Sequence, residues 1–407
     1  MTERTGCVVA GGGPAGMVLG LLLARAGVEV TVLEKHGDFL RDFRGDTVHP
    51  STLHLIDDLG LGEKFAALPQ SHISEVAFPD EEGNRVVLAD LSRLRTPHPY
   101  VAMVPQWDLL DLLAETARAE PTFTLRMNTE VTDVIKESGR VTGVAYREAG
   151  GKTGEIRADL VVACDGRWSL LRRQSGLRPR EFPVPMDAWW FRLPTDGNPQ
   201  PALTPSLTDR HLAVGIPREG YLQVAYMAPK GIDAQLRADG IEAFRQRIAS
   251  VLPDYAGKTD GIKSMDDVKH LDVRLDRLRR WYVDGLLCIG DAAHAMSPIG
   301  GVGINLAVQD AVATAELLAW PLRQGRVTTA DLAKVQRRRG LPTVMVQGLQ
   351  RLMHRNIIRP AMEGRRAGMP KPLVRLLRTF PAASQFPAYL IGIGFRPESA
   401  PSFARRP

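Results

Sequence analysis

The residues best suited to chemistry lie at three corners of the chain, each an apolar run that ends in glycine or in an acid. Residues 7–10 run into Gly11-Gly12-Gly13-Pro14-Ala15-Gly16, residues 160–164 into Asp165-Gly166, and residues 286–289 into Gly290-Asp291. The first corner has the form Gly-x-Gly-x-x-Gly. It opens an apolar helix over 17–26, and a second strand over 29–33 follows, closed by Glu34 and Lys35. Such glycines let the backbone turn tightly and approach a pyrophosphate. The helix N-terminus adds N–H donors and the positive end of its dipole, and the acid accepts from ribose hydroxyls. Pro14 fits there, because the first helical turn leaves its N–H positions without intrahelical partners anyway.

The third corner continues through His294 into Ser297-Pro298-Ile299-Gly300-Gly301-Val302-Gly303-Ile304-Asn305 and then a long helix over 304–322. Asp291 can accept from the hydroxyls of a polyol, and a glycine-rich loop feeding a helix presents N–H groups to an anion. Those two needs describe a flavin, with its ribityl chain and a ring that becomes anionic at N1 on reduction. In an open α/β sheet, ligands sit beyond the carboxyl ends of the strands where strand order reverses. Three corners far apart in sequence are therefore expected to meet around one large dinucleotide.

The elements that must position these corners follow from patterning. Residues 1–71, 98–180 and 277–330 read as an α/β, Rossmann-like unit, with helices starting near Ser51 and at Pro105-Gln106-Trp107. Residues 72–97 and 181–276 shift to proline-punctuated alternating segments, read as an interleaved antiparallel-sheet substrate domain with a helix over 241–251. Residues 331–407 form a proline-broken, C-terminal helical region. In the second sheet Trp190, Arg192, Tyr221 and Gln223 are candidates to meet a flat substrate. Strand alternation puts Trp190 and Arg192 on the face opposite Trp189 and Phe191. His49, beside the loop that carries Arg44, is a further candidate catalytic residue.

Composition excludes several classes. With 407 residues, 44% hydrophobic and 24% charged, the chain has the make-up of a globular protein. Its longest apolar runs, such as 17–23, fall far short of a membrane span, and residues 1–6 lead straight into a strand, so a cytoplasmic location is expected. Cys7, Cys164 and Cys288 end or occupy buried-type strands and read as reduced core thiols; the nine histidines are scattered, so no metal is expected. The net charge of +6 hides an asymmetry: from residue 321 onward there are 17 basic and 3 acidic residues, a net of +14 against −8 before it. Arg337-Arg338-Arg339 and Arg351, Arg355 and Arg359 could bind phosphates, nucleic acid or an anionic membrane. Without interleaved aromatics they read instead as a solvated helix face against the acidic body, with no nucleic-acid partner and no membrane insertion.

Over about residues 1–320 the chain resembles the single-component FAD-dependent aromatic hydroxylases, the para-hydroxybenzoate hydroxylase-like monooxygenases. The resemblance rests on GGGPAG with Glu34, on Cys164-Asp165-Gly166-Arg167-Trp168-Ser169 with Arg172, and on GDAAHAMSPIGGVGIN, in that order. Where the family often has alanine before the Asp-Gly pair, Cys164 stands here. The resemblance implies that Gly11, Gly13, Pro14, Ala15, Gly16, Glu34 and Lys35 hold the ADP half of FAD. It implies Arg44 at the pyrophosphate or ribose, Gln106 at the ribityl and phosphate region, and Val131 at the adenine through its backbone. Asp165 and Gly166 would serve FAD and the nicotinamide, Asp291 the ribityl hydroxyls, and the 300–305 loop with Gly303, Ile304 and Asn305 the flavin N1 and C2 carbonyl. Pro298, Gly300 and Gly301 would form the wall beside the reacting flavin.

The activity so implied is NAD(P)H- and O2-dependent hydroxylation or epoxidation of an aromatic or quinone-like molecule, through a flavin C4a-hydroperoxide. NADH or NADPH would dock transiently, since only one nucleotide fingerprint is present, and the protein would be a monomer or homodimer. A flavin-dependent oxidase or reductase on the same fold is the alternative. A halogenase expects Trp-x-Trp-x-x-Pro, and Trp189-Trp190 lacks that spacing. A flavin-binding regulatory or membrane-associated protein, with the basic tail as its working part, ranks below these.

Overall fold

The computed structural model describes residues 3–40, 47–80, 82, 84–196, 205–208, 210–218, 220–365 and 371–406. β1 (Glu3–Ala10) is apolar in both side-chain directions at its buried end, where Cys7, Val8, Val9 and Ala10 are all buried, the pattern of a central parallel strand covered on both faces. It lies between β2 (Val30–Leu33) and the long strand Thr153–Ala163, parallel to both. Phe123–Arg126 adds parallel to β2, and Leu286–Cys288 adds parallel to the far half of Thr153–Ala163. The near half of that strand pairs instead with an antiparallel meander, Arg140–Glu148 and Thr129–Glu137. The chain thus leaves β1 toward β2 and later returns on its other side, which makes β1 the point where strand order reverses.

Register decides what the strand ends do. Ala10 pairs with both Leu33 and Ala163, and Ala163 pairs with Cys288. Four strands therefore stop at one level, and the next residues are Gly11, Glu34, Cys164-Asp165-Gly166 and Ile289-Gly290-Asp291. Behind them α1 (Pro14–Arg25) packs against the long helix Gly303–Arg323. The three cysteines sit in or at the end of these neighbouring strands as free thiols, and burial pushes each thiol well above its ordinary pKa.

A second, antiparallel sheet runs in the order Pro205–Thr208, His211–Arg218, Tyr221–Pro229, Met186–Pro194 and Lys269–Leu271. One face buries Trp189, Phe191, Val224 and Tyr226 against Phe244 and Ile248 of the helix Asp233–Val251. That helix begins earlier than the sequence pattern predicts, and it is broken at Gly240, where φ is +82°. Residues 233–239 form a separate polar first segment that a search for apolar periodicity passes over.

The C-terminal region is less solvated than its composition predicts. The helix Thr329–Met353 starts in a capping box of Thr328 and Asp331 and buries Arg339, which is 1% exposed. Arg339 Nε donates to Asp310 Oδ1 at 3.2 Å and Nη1 to Glu398 Oε1 at 3.3 Å, while Arg338 pairs with Glu398 at the rim. Two of the three consecutive arginines thus answer buried acids; a fully buried carboxylate such as Asp310 needs that partner. No described helix is long and apolar enough to cross a membrane.

Candidate active site

The glycine corner is built by close approach. At Gly11, with φ of +106°, a Cβ would overlap the carbonyl oxygen of Cys164, so the first and second corners touch backbone to backbone. A Cβ on Gly16 would overlap the Gly11 carbonyl, and only glycine lets α1 begin this close to the strand end. Gly13, the N-cap of α1, is different: nothing lies within 4 Å of where its Cβ would be. Pro14 and Ala15 open the helix beside that space. Glu34 is 7% exposed; its Oε2 accepts from the Gly12 N–H at 2.8 Å and its Oε1 from the His36 N–H at 3.1 Å. Its carboxylate therefore fixes the glycine loop, while Lys35 is exposed. The strand carrying Val131 starts against it, with the Thr129 N–H donating to the Glu34 carbonyl at 2.8 Å. Gln106 is the first residue of the helix Gln106–Arg118, and Arg44 lies outside the described residues.

The second and third corners are tied by arginines. Asp165 Oδ2 accepts from the Leu171 N–H at 3.2 Å, but Oδ1 is buried with no hydrogen-bond partner among the described residues, and burial raises this carboxyl above its ordinary range. Gly166, at φ +80°, leaves open space where a side chain would be. Arg172 is buried and donates to the carbonyls of Ala292 at 3.2 Å and Arg167 at 2.8 Å. Arg167 in turn reaches Asp291 Oδ2 at 3.4 Å, and that carboxylate stays partly exposed. Beneath them Asp310 Oδ2 accepts from the Gly290 N–H at 3.2 Å and contacts His294 Nε2 at 2.5 Å, and these partners hold Asp310 below the usual carboxylate range despite its burial.

The loop after the third corner is clamped from two sides. Gln350, on the C-terminal helix, donates through Nε2 to the carbonyls of Ser297 at 2.9 Å and Ile299 at 3.0 Å, flanking Pro298. His354 Nε2 lies 2.9 Å from Ser297 Oγ, where the same helix widens into a π-turn, His354–Ile358. On the other side the carbonyl of Gly301 accepts from Thr47 Oγ1 at 2.8 Å and faces His49 Nε2 at 3.0 Å. Gly300 and Gly301 both have positive φ, +82° and +63°, and a Cβ on Gly301 would press on Thr47. Ser51 and Thr52 donate to Asn305 Oδ1 at 2.9 and 2.5 Å, so the first turn of Gly303–Arg323, with Gly303 and Ile304, is anchored to the N-terminal part of the chain.

The candidate substrate residues share one face. Trp189 and Phe191 turn into the helix-backed core, and their neighbours Trp190 and Arg192 turn away from it. Arg192 stacks over Tyr221 at 4.8 Å, and Gln223 pairs in register with Arg192. Trp190 joins apolar clusters that include Ile299 of the clamped loop and Ile391 of the C-terminal helix Gln385–Gly392. Gln223 is 1% exposed; its Oε1 accepts from Arg218 Nε at 3.1 Å, and Arg218 Nη1 donates to the Met103 carbonyl at 2.6 Å. That pairing fixes the amide and leaves Gln223 Nε2 a buried donor with no partner among the described residues, as the Trp190 indole N–H also is.

Sequence reasoning missed several supports. Thr47, Ser51 and Thr52 flank His49 at the helix start predicted near Ser51, but nothing local shows that their hydroxyls reach Gly301 and Asn305. Gln350 and His354 carry no local signal, because each meets its partner only through tertiary folding.

The chemistry of this crevice fits FAD. It offers open space beside Gly13 at a helix N-terminus, an unpaired buried oxygen on Asp165, a partly exposed acceptor at Asp291 and a second helix N-terminus after a loop of positive-φ glycines. Fold and site together define a dinucleotide-binding α/β flavoprotein with a second, antiparallel sheet. The chain belongs to the FAD binding domain family, whose sequence profile matches residues 4–347. It is an FAD-dependent aromatic monooxygenase of the para-hydroxybenzoate hydroxylase-like class, with NAD(P)H as co-substrate.

The chain is 34% identical over 397 residues to the 6-methylpretetramide 4-monooxygenase of Streptomyces rimosus, covering 94% of this chain and 89% of that one. Among solved structures it is similar to the anhydrotetracycline hydroxylase OxyS of Streptomyces rimosus, with TM-score 0.75 and 25% identity over 96% of this chain and 76% of that one. It also shares its fold with the flavin-dependent brominase Bmp2, with TM-score 0.79 at 19% identity over 96% and 94% of the two chains.

Proposed function

We propose that the enzyme hydroxylates an aromatic polyketide of the 6-methylpretetramide type, acting in the cytoplasm as a monomer or homodimer. The observation that carries this reading is the pair of unpartnered buried donors, Trp190 Nε1 and Gln223 Nε2, on the sheet face that reaches Ile299. Buried N–H groups are costly unless paired, and an oxygenated aromatic ring would pair them while lying on an apolar surface. A relative 34% identical over 94% of this chain and 89% of its own length bears 6-methylpretetramide in its name.

FAD, when bound, supplies reduction by NAD(P)H and the activation of O2 for transfer to the ring. The chain's own groups do the rest. The open N-terminus of α1 at Gly13 receives the pyrophosphate; Glu34 holds the glycine loop and the ribose end; Asp291 accepts from the ribityl hydroxyls. Asp165 and Gly166 serve the pyrophosphate side and the visiting nicotinamide. The N-terminus of Gly303–Arg323, with Ile304 and Asn305, stabilises negative charge on the reduced ring by its dipole. Pro298, Gly300 and Gly301 form the wall against which the substrate ring lies and exclude water from it. His49 and Gln350 hold that wall in place.

The test is turnover of 6-methylpretetramide by the FAD-loaded protein with NADH or NADPH under labelled dioxygen. One oxygen-18 atom should enter the product for each nicotinamide oxidised. Nicotinamide oxidation that ends only in peroxide, with no labelled product, would sink the assignment of this substrate type.

A further inference from the structure

Beside Tyr282, which pairs with Leu287 in the strand that leads to the Gly290-Asp291 corner, lies a groove of about 740 Å³ that the flavin chemistry does not use. Five arginines line it, Arg180, Arg277, Arg279, Arg280 and Arg337, and no acidic residue does. Among the described residues none of these five guanidiniums has a carboxylate partner. Arg180 and Arg277 face each other directly across the antiparallel pair Pro179–Phe182 and Leu275–Leu278, and both lean on the Phe182 ring, at 5.3 and 5.6 Å. Like charges opposite one another in a ladder are destabilising. Burial and the charges of Arg180 and Arg351 lower the pKa of Arg277 accordingly. Such a cluster is relieved by an anion that several guanidiniums share, and phosphate is the group their planar forks fit.

The rest of the lining narrows the ligand. Leu341 and Val344 are 48% and 43% exposed at the groove, and Arg280 stacks on Tyr282 at 4.9 Å. An apolar wall next to a phosphate-binding floor suits a base joined to phosphates. The groove is concave, which a bilayer surface does not fill, and it has no ladder of aromatics for successive bases of a strand. Its volume is that of a small-ligand site. Gln347 connects it to the flavin side: its Oε1 accepts from Arg277 at 3.2 Å and its Nε2 donates to the carbonyls of Asp276 at 2.6 Å and Ala295 at 3.2 Å, just beyond Asp291.

We propose that this groove binds an adenosine nucleotide carrying a ribose phosphate in addition to its 5′-phosphate. Two sources share that chemistry, the 2′-phosphate of NADPH and the 3′-phosphate of a coenzyme A thioester.

Calorimetric titration of the full-length, FAD-loaded protein tests it, since bound FAD closes the ADP site at Gly11–Gly16 to the probes. The probes are 2′,5′-ADP, 3′,5′-ADP, 5′-AMP and inorganic pyrophosphate. One bisphosphate should bind at least about ten-fold more tightly than 5′-AMP, and R280Q/R337Q, two surface substitutions outside the flavin crevice, should abolish that preference while retaining FAD. Preference for 2′,5′-ADP assigns the site to NADPH, and preference for 3′,5′-ADP assigns it to a coenzyme A-type ligand. Pyrophosphate binding as tightly as either bisphosphate would reveal an adventitious anion only. No bisphosphate preference, or one that survives in R280Q/R337Q, would overturn the proposal and leave the monooxygenase reading untouched.

Discussion

His49 Nε2 stands 3.0 Å from the carbonyl oxygen of Gly301, and His49 Nδ1 stands 2.7 Å from that of Ile391. One buried imidazole thus joins the N-terminus of α2 (Pro50–Asp58), the flavin-side loop and the C-terminal helix Gln385–Gly392. Burial pushes its pKa down, and a neutral ring has a single N–H to share between two carbonyls. Gly301 also receives the Thr47 hydroxyl, so the loop keeps one donor whichever tautomer His49 adopts.

Replacing His49 with alanine is therefore expected to destabilise the protein by about 1–3 kcal/mol, the cost of stranding a buried acceptor. FAD should be held more weakly as the Gly301 loop loosens. Urea unfolding and flavin-fluorescence titration read the two effects separately. An unchanged FAD affinity would remove His49 from the loop's support.

The glycines of the first corner make a paired prediction. Gly16→Ala forces a Cβ onto the Gly11 carbonyl and should cost roughly 1–3 kcal/mol of overpacking, with loss of FAD. Gly13→Ala meets no atom within 4 Å and sits at φ −73°, so the fold should keep its melting temperature while FAD affinity falls. Differential scanning fluorimetry with and without added FAD distinguishes them; equal melting temperatures for the two variants would contradict the packing argument.

Asp291→Ala removes a partly exposed carboxylate whose one hydrogen-bond partner among the described residues is Arg167 at 3.4 Å. Stability of the flavin-free protein should change by less than about 1 kcal/mol. FAD should be lost on gel filtration. Retention of stoichiometric FAD with full turnover would rule out its assignment to the ribityl chain.

The protein should weaken in mild acid through His354. Its ring is 4% exposed, and burial pushes its pKa down from 6.5 to about 4. The unfolded chain then binds the proton more tightly than the folded one. Stability is complete above about pH 6.5 and declines as the pH falls toward about 4, by roughly 3 kcal/mol from this residue. Unfolding midpoints across that range should show a shallower decline for His354→Gln; an identical pH dependence would place the acid sensitivity elsewhere.

The first and third corners were legible in the sequence because their chemistry is local. A glycine spacing after an apolar strand, an acid closing the next strand and a Gly-Asp turn before a glycine-rich loop are patterns of adjacent residues, set by what a backbone must do to approach a phosphate or a polyol. The family resemblance followed from their order. The helix break at Gly240 and the burial of Arg339 were not legible, since a positive φ and a distant acid leave no mark on periodicity or charge count.

By itself, then, the sequence determined the cofactor class, the α/β frame and the face of the second sheet on which Trp190 and Arg192 stand. Only the tertiary structure decided that Ala10, Ala163 and Cys288 end in register, that His49 and Gln350 clamp one loop from opposite sides, and that Gln223 turns an unpaired N–H inward. The reason is physical. A turn or a strand's alternation is fixed within a few bonds, whereas a strand's register and a buried donor's partner depend on groups that folding brings from distant parts of the chain.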